Sequence, residues 1–406
     1  MQYRTIPKTG DALSVLGFGA MRFPTRLKII HESQAERLIS QAVDGGVNYI
    51  DTAFLYHQGQ SEPLLGKLLS RTGLRQKVRL ATKLPHWMTR NPKQMADMLD
   101  RQLRRLKTDV IDYYLIHNIH GATWEIAKSH GVIEFLDRAK EQGKIRNAGF
   151  SFHGEARDFA PIVDDYDWTF CQIQYNFLDT GQQAGTQGLE YAASKDLGVI
   201  IMEPLRGGNL AKTPPPAVAR IWDSASEKRS PAAWALGWIW NHPQVTCVLS
   251  GMNHSDQIRE NLALAERSLP GHFSPEELDR VDRAVAAFNK VMRVGCTGCQ
   301  YCLPCPAGVD IPRCFDLYNA RHAFKDPSAR LFYIGLLGGF QTGKTALASA
   351  CKDCGACVKK CPQSIDIPRE LEAVATDMEG WWTRPALDLA GKFMALRRRW
   401  GNGKKQ

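Results

Sequence analysis

The sequence predicts an α/β protein, a closed (β/α)8 TIM barrel followed by a small, mainly α-helical domain, and two observations carry that expectation. From residue 14 to about 265, short β-branched runs alternate with amphipathic helical patterns about eight times. Eight strand-helix units in roughly 250 residues is the size of a closed barrel. Of the 11 cysteines, nine follow residue 295, so one residue type marks where a second kind of domain begins.

The strand-like runs are "LGFGAMRF", "VNYIDTA", "VRLATKL", "VIDYYLIHN", "IRNAGFSF", "FCQIQYN", "VIIMEPL" and "VTCVLSG". Between them stand helical patterns such as "SQAERLISQAVDGG", "PKQMADMLDRQLRRLKTD" and "GVIEFLDRAKEQGK", several closed by Gly at the cap position. An open doubly wound sheet would need fewer units and a glycine-rich first turn, whereas "GFGAMR" supplies only Gly17 and Gly19. The stretch 212–220, "KTPPPAVAR", reads as a proline-stiffened insertion between the seventh strand and its helix. "SPEELDRVDRAVAAFNKVM" reads as a further helix, with Ser274 as N-cap and Glu277 in the capping-box position. The expected domains are residues 1–290 for the barrel, 291–380 for the cysteine-rich domain and 381–406 for a basic tail.

Net charge is +10, but the tail alone holds seven Lys or Arg against one Asp. No other stretch interleaves basic and aromatic residues, which argues against a nucleic-acid face. The beginning lacks a signal-peptide pattern, and no apolar run approaches the roughly 20 residues of a membrane span. A cytoplasmic protein without a transmembrane segment is expected. In the tail, Phe393, Met394, Leu396 and Trp400 can share one apolar face, which makes peripheral membrane contact the rival to a solvated terminus. "GGFQTGKT", from Gly338 to Thr345, fits the phosphate-loop pattern. Only 45 residues separate Cys305 from Cys351, too few for the nucleotide-binding sheet such a loop serves, so no triphosphate site is expected.

The cysteine-rich domain is an internal repeat. "CTGCQYCLPCPAGVDIP" begins at Cys296 and "CKDCGACVKKCPQSIDIP" at Cys351. In each, three cysteines at steps of three are followed by a Cys-Pro and then Asp-Ile-Pro. Such spacing suits iron-sulfur cubanes; zinc is the rival, but a zinc ribbon separates two CxxC pairs by a longer loop. The second copy resembles the C-x2-C-x2-C-x3-C-P run of bacterial two-cluster ferredoxins in full, through Cys351, Cys354, Cys357 and Cys361. The first copy is one residue shorter between Cys302 and Cys305. The resemblance implies two 4Fe-4S clusters in a ferredoxin-like domain. Its crossed pattern places Cys296, Cys299, Cys302 and Cys361 on one cluster and Cys351, Cys354, Cys357 and Cys305 on the other, with uncrossed ligation as the alternative. Cys314 lies on an apolar helical face and reads as core.

In the barrel, polar residues at strand C-termini point into the mouth. Asp51 follows "VNYI", Tyr56 stands five residues on, Lys83 follows "LAT" and His117 follows "YYLI". Singly each has a structural reading; together, in "YIDTAFLY", "ATKL" and "LIHN", they resemble the catalytic tetrad of the aldo-keto reductases. A phenol with a pKa near 10 needs a neighbouring cation to act as an acid at neutral pH. The resemblance implies Tyr56 as acid, Lys83 and Asp51 tuning it, and His117 orienting a carbonyl.

The same resemblance implies an NADP or NAD site. Ser151 and Gln172 fall at the nicotinamide carboxamide, with Phe152 where an Asn is common, and Met202 falls near the nicotinamide ring. Leu205, Arg206 and Gly207 fall along the pyrophosphate, and Gly251, Gln257, Glu260 and Asn261 around the adenosine, with Arg259 as a substitute cation. The expected activity is reduction of an aldehyde or ketone, or the reverse oxidation of an alcohol, with Trp87, Phe54 and Trp124 as candidates to line the pocket. The alternative is an iron-sulfur electron-transfer protein that docks a redox partner, with the barrel as scaffold. Hydride moves two electrons together and a cluster one, so the sequence leaves the clusters' role open.

Overall fold

In the computed structural model, residues 1–324, 329–339 and 345–380 are described. An antiparallel pair, β1 (Tyr3–Thr5) and β2 (Ala12–Ser14), opens the chain. The barrel strands are β3 (Leu16–Gly19), β6 (Tyr49–Asp51), β7 (Arg79–Leu84), β8 (Ile111–Ile119), β9 (Ile145–Phe152), β10 (Phe170–Gln174), β11 (Gly198–Met202) and β12 (Val245–Ser250). They close in the order β10-β11-β12-β3-β6-β7-β8-β9, every neighbouring pair parallel. The short ribbon β4 (Thr25–Arg26) and β5 (Ile29–Ile30) turns through Leu27 and Lys28, both at positive φ. Neither two-stranded ribbon was expected from the sequence, because strands of two or three residues leave no periodic signal.

Alternation along each strand sorts the barrel interior into levels. Tyr49, Ala81, Tyr113, Leu115, Phe170, Ile200, Cys247 and Leu249 form one buried cluster with Ile6 and Leu13. Tyr113 meets Tyr49 at 5.4 Å and Phe170 at 5.0 Å, edge to face in both cases. Gly149 makes room for Phe170: a Cβ there would fall 2.4 Å from the ring. Two residues further along the same inward phase come Asp51 after Tyr49, Lys83 after Ala81, His117 after Leu115, Gln172 after Phe170 and Met202 after Ile200. One period of two therefore builds an apolar floor and a polar mouth.

The chain divides into two compact units, Met1–Ala211 with Arg229–Asp279, and residues 212–228 with those from Arg280 onward. The proline-rich stretch expected as a barrel insertion groups with the second unit. The boundary falls within the helix Pro275–Val291, whose start is a reciprocal capping box: Ser274 N donates to Glu277 Oε2 at 2.8 Å and Glu277 N to Ser274 Oγ at 3.2 Å.

In the second unit the sequence repeat is a backbone repeat. Two residues after the first cysteine of each copy, Gly298 and Asp353 have positive φ, and their N–H groups donate to Cys296 Sγ and Cys351 Sγ, each at 3.4 Å. Gln300 and Gly355, four residues after it, also have positive φ. So do Gly308 and Ser364, three after each Cys-Pro cysteine. Asp310 and Asp366 then accept from Arg313 N and Arg369 N and cap the helices Ile311–Phe324 and Ile367–Met378. Alternating left-handed residues turn backbone N–H groups toward one side, which suits anionic sulfur. Cys314 is fully buried, within 3.9 Å of Tyr333 Oη and 3.8 Å of Ala346 O, as core. Residues 340–344 of the phosphate-loop pattern and the whole basic tail 381–406 lie outside the described residues. Among the described residues no helix is long and apolar enough to cross a membrane.

Candidate active site

Lys83 is 1% exposed, and an ammonium that deep needs acceptors for its protons. Its Nζ donates to Asp51 Oδ1 at 2.6 Å, Asp51 Oδ2 at 2.7 Å and Thr52 O at 2.8 Å, with Tyr56 Oη at 3.4 Å. Burial pushes the Lys83 ammonium down and the Asp51 carboxyl up, and their contact opposes both shifts. Tyr56, half-buried at the start of the 3-10 segment Tyr56–Gly59, meets His117 edge to face at 6.2 Å. His117 is held well below the ordinary histidine range by burial, then by Lys83, His153 and His86, so its imidazole is neutral. Its Nδ1 is buried with no protein partner among the described residues. The structure thus brings all four tetrad candidates together.

A second layer holds Lys83 in place. Glu62, fully buried, accepts from Thr82 Oγ1 at 2.7 Å and Gln102 Nε2 at 2.7 Å and pairs with Arg105 Nε at 3.2 Å. Gln102 Nε2 also donates to Lys83 O at 3.0 Å, and Gln102 Oε1 accepts from Tyr114 at 2.7 Å. The sequence reading missed both residues, although a signal existed. On the helix Ser61–Thr72, Glu62 shares the stripe of Leu65 and Leu69, and on Pro92–Leu106, Gln102 shares that of Met95, Leu99 and Leu106. A polar residue in the buried phase of an apolar stripe must find a polar partner inside.

Ser151 and Gln172, offered for a carboxamide, are register partners on β9 and β10. Ser151 Oγ accepts the Asn118 N–H at 2.7 Å, which leaves its own proton to donate. Gln172 Oε1 is buried and has no partner among the described residues. One donor and one orphaned acceptor, side by side, fit a primary amide. Phe152 has the opposite phase and packs on Phe159 at 5.0 Å, so that position does not face the barrel interior. Met202 is half-buried at the end of β11, followed by Leu205, half-buried, and Gly207 at φ 69°.

The polar candidates in the outer loops are engaged with protein. Arg206 is 5% exposed and turned to Asp179 at 3.4 Å. Gln257 Oε1 accepts from Asn253 N at 2.9 Å, Glu260 accepts from Ser230 Oγ, and Asn261 Nδ2 donates to Ser250 Oγ at 3.1 Å. Arg259 pairs with Asp256 one turn earlier. Gly251, half-buried, follows β12.

The cysteines of the second unit fall into two groups. Cys296, Cys299, Cys302 and Cys361 line one cavity. Burial pushes the Cys302 thiol up, and the thiols that add to this are Cys299, Cys296 and Cys361. Burial likewise raises Cys357, whose thiol neighbours are Cys351, Cys305 and Cys354. Among the described residues no three Cys, His, Asp or Glu side chains close around a single ion. Ligands of a cubane sit on separate irons and need no common centre.

Comparison with known proteins settles the family. The aldo/keto reductase family model matches residues 15–286, and a 4Fe-4S dicluster domain model matches residues 295–365. The chain belongs to the aldo/keto reductase family. It is an oxidoreductase of that type with a C-terminal 4Fe-4S dicluster domain. It is 26% identical over 282 residues to L-galactose dehydrogenase of Arabidopsis thaliana, across 65% of this chain and 88% of the relative. It is also 26% identical over 286 residues to 6-dehydroglucose reductase of Novosphingobium aromaticivorans, across 64% and 88%. Among solved structures, the apo form of an aldo-keto reductase from Bacillus halodurans has a TM-score of 0.56 at 26% identity, over 70% of this chain and 96% of that one. A Klebsiella pneumoniae aldo/keto reductase in complex with NADP and acetate has a TM-score of 0.58 at 22% identity, over 70% and 95%.

Within this aldo/keto reductase the pocket-lining candidates separate. Trp87 is 48% exposed with its ring 5.4 Å from His117, and it stands at the mouth. Trp124 does not: it is 1% exposed, donates its indole N–H to Asp165 at 2.7 Å and packs on Trp168. Its helix, Gly121–Ser129, turns the indole inward, which a single aromatic in a loop-like stretch does not reveal. Phe54 is 6% exposed beneath the guanidinium of Arg105 at 4.4 Å and is wall rather than surface.

Proposed function

We propose that the barrel reduces an aldehyde or ketone to an alcohol, and runs the reverse oxidation with the same groups. The observation that carries this is Lys83 Nζ, held by both Asp51 oxygens and Thr52 O and still 3.4 Å from Tyr56 Oη. A bound NADH or NADPH supplies the hydride to the carbonyl carbon. Ser151 O–H and Gln172 Oε1 are the groups that would take the carboxamide of that nucleotide. Tyr56 gives its phenolic proton to the carbonyl oxygen as negative charge develops there. The phenolate left behind faces the Lys83 ammonium and recovers a proton from solvent. Neutral His117 donates a hydrogen bond to the same oxygen and fixes the substrate, while Trp87 offers an apolar face beside it.

In the second unit we assign Cys296, Cys299, Cys302 and Cys361 to one 4Fe-4S cluster and Cys351, Cys354, Cys357 and Cys305 to the other. What supports the crossing is the cavity that the first four share. Cys354 is exposed, which favours the second cluster as the one that exchanges electrons with a redox partner protein.

The test is anaerobic turnover of a generic aldehyde with NADPH or NADH by the cluster-loaded protein. Tyr56→Phe should cut kcat by about 100-fold or more with cluster absorbance unchanged. Retention of full turnover in Tyr56→Phe, or reduction of the clusters by a ferredoxin-type donor in a protein that binds no nicotinamide, would replace this reading with that of an electron carrier on a barrel scaffold.

A further inference from the structure

The helix Ala329–Leu337 in the second unit is apolar on both sides. Ala329, Tyr333, Ile334 and Leu337 are buried, and the last three belong to one core cluster with Phe315, Leu371 and Val374. The opposite side carries Leu331, 74% exposed, Phe332, 58% exposed, and Leu336, 54% exposed. Gly335 lies between them, and a Cβ there would meet nothing within 4 Å. These four positions share one face of a 3.6-residue helix. Among the described residues of the second unit, the other large apolar side chain that stands exposed is Val358, at 36%. The open apolar surface of this unit is therefore gathered on one helix, and a helix apolar all round calls for a second apolar neighbour.

What lies beside that face is set by the end of the last described helix, Ile367–Met378. Arg330 Nε donates to Met378 O at 3.0 Å and Tyr333 Oη donates to Glu379 Oε1 at 2.7 Å, so the chain at Glu379 lies against the apolar helix. Glu379 Oε1 also accepts from Ser349 N at 3.0 Å. The sequence that follows, residues 381–406, holds seven Lys or Arg against one Asp, together with Trp381, Trp382, Phe393 and Trp400. So many cations call for an anionic partner, and the helix offers none, since its single charged residue is Arg330. A basic segment rich in tryptophan, rooted at an exposed apolar face, is the combination that an anionic bilayer surface takes up.

We propose that the outer face of the helix Ala329–Leu337, with the basic segment that begins beside it, docks this protein on a bilayer containing anionic phospholipids. Leu331, Phe332 and Leu336 enter the headgroup layer, and the cations of residues 381–406 pair with lipid phosphates. The contact is peripheral: the helix has nine residues, against the roughly 20 of a membrane span. Residues 381–406 laid back on the helix would cover its apolar side chains but would gain no acid from it for their own cations.

The experiment is co-sedimentation of the full chain, with clusters loaded and oxygen excluded, with vesicles of phosphatidylcholine alone and of phosphatidylcholine mixed with phosphatidylglycerol. The mixed vesicles should carry the protein down, and salt should weaken that binding. Leu331→Gln with Leu336→Gln should cut partition to the mixed vesicles about tenfold or more, with the urea midpoint and cluster absorbance unchanged, because both side chains are exposed in the free protein. Arg397→Gln with Arg398→Gln and Arg399→Gln should remove most of the preference for phosphatidylglycerol. Equal partition of wild type and the Leu331, Leu336 variant would overturn the inference. So would failure to sediment with either vesicle, which would leave the face to a protein partner. A wild-type dimer that the same variant dissociates in analytical ultracentrifugation would assign the face to a second copy instead. A urea midpoint lowered both in that variant and in a chain ending at Gly380 would show that residues 381–406 already cover the face, and would overturn the inference too.

Discussion

Asn118 follows His117 at φ 56°, a left-handed conformation that asparagine tolerates better than most residues and that its surroundings hold here. The Ser151 hydroxyl does the holding by accepting the Asn118 N–H at 2.7 Å. Gln172 Oε1, its neighbour across the register, accepts nothing from the described residues. The two substitutions should therefore differ. Ser151→Ala removes an internal acceptor and should cost about 1–2 kcal/mol of stability by urea unfolding, as well as nucleotide affinity. Gln172→Met, close in volume and without an internal partner to strand, should weaken nucleotide binding with stability changed by less than about 1 kcal/mol. The opposite ranking in stability would mean that Gln172, not Ser151, supports the fold.

Strands and the cysteine repeat were legible in the sequence because both write their geometry at short range. A period of two puts Asp51, Lys83 and His117 in one phase at three strand ends, and steps of three put thiols on one side of a loop. What the sequence did not show is which charges are already satisfied. Arg206 and Arg259 look available in the string, yet Asp179 and Asp256 occupy them, and only the folded chain brings Asp179 to Arg206. Trp124 was misplaced for the same reason: burial of an indole is decided by the helix that carries it. The two copies of the repeat share positive φ at matching positions, but which cysteine completes which cluster is a long-range question, and double substitution answers it. Cys361→Ser should lower iron from about eight to about four atoms per chain, and adding Cys302→Ser should remove little more if both serve one cluster. Adding Cys357→Ser should then abolish the remaining iron; the reverse pattern would establish uncrossed ligation.

Buried neutral histidines tie the stability of the whole molecule to pH. Burial lowers His86 to about 4, against hydrogen bonding to Asn118 and alongside His120 and His130, and lowers His153 to about 4, against its contact with Gln183. In the unfolded chain both take up a proton near pH 6.5. Between that value and about 4 the unfolded state binds more protons than the folded one, so stability falls as pH falls through this window. Each such group contributes at most about 1.4 kcal/mol per pH unit, or roughly 2 kcal/mol for the two together between pH 6 and pH 5. Burial raises the carboxyls of Asp51, Glu62 and Glu203, which act in the opposite sense, so the net slope should be smaller than that figure. The expected result is a urea midpoint, followed by tryptophan fluorescence, that drops between pH 7 and pH 5.5. His153→Gln should flatten the dependence by about 1 kcal/mol per pH unit across that window, because one of the titrating groups is gone. A slope unchanged in both His153→Gln and His86→Gln would show that the acid sensitivity comes from elsewhere in the chain.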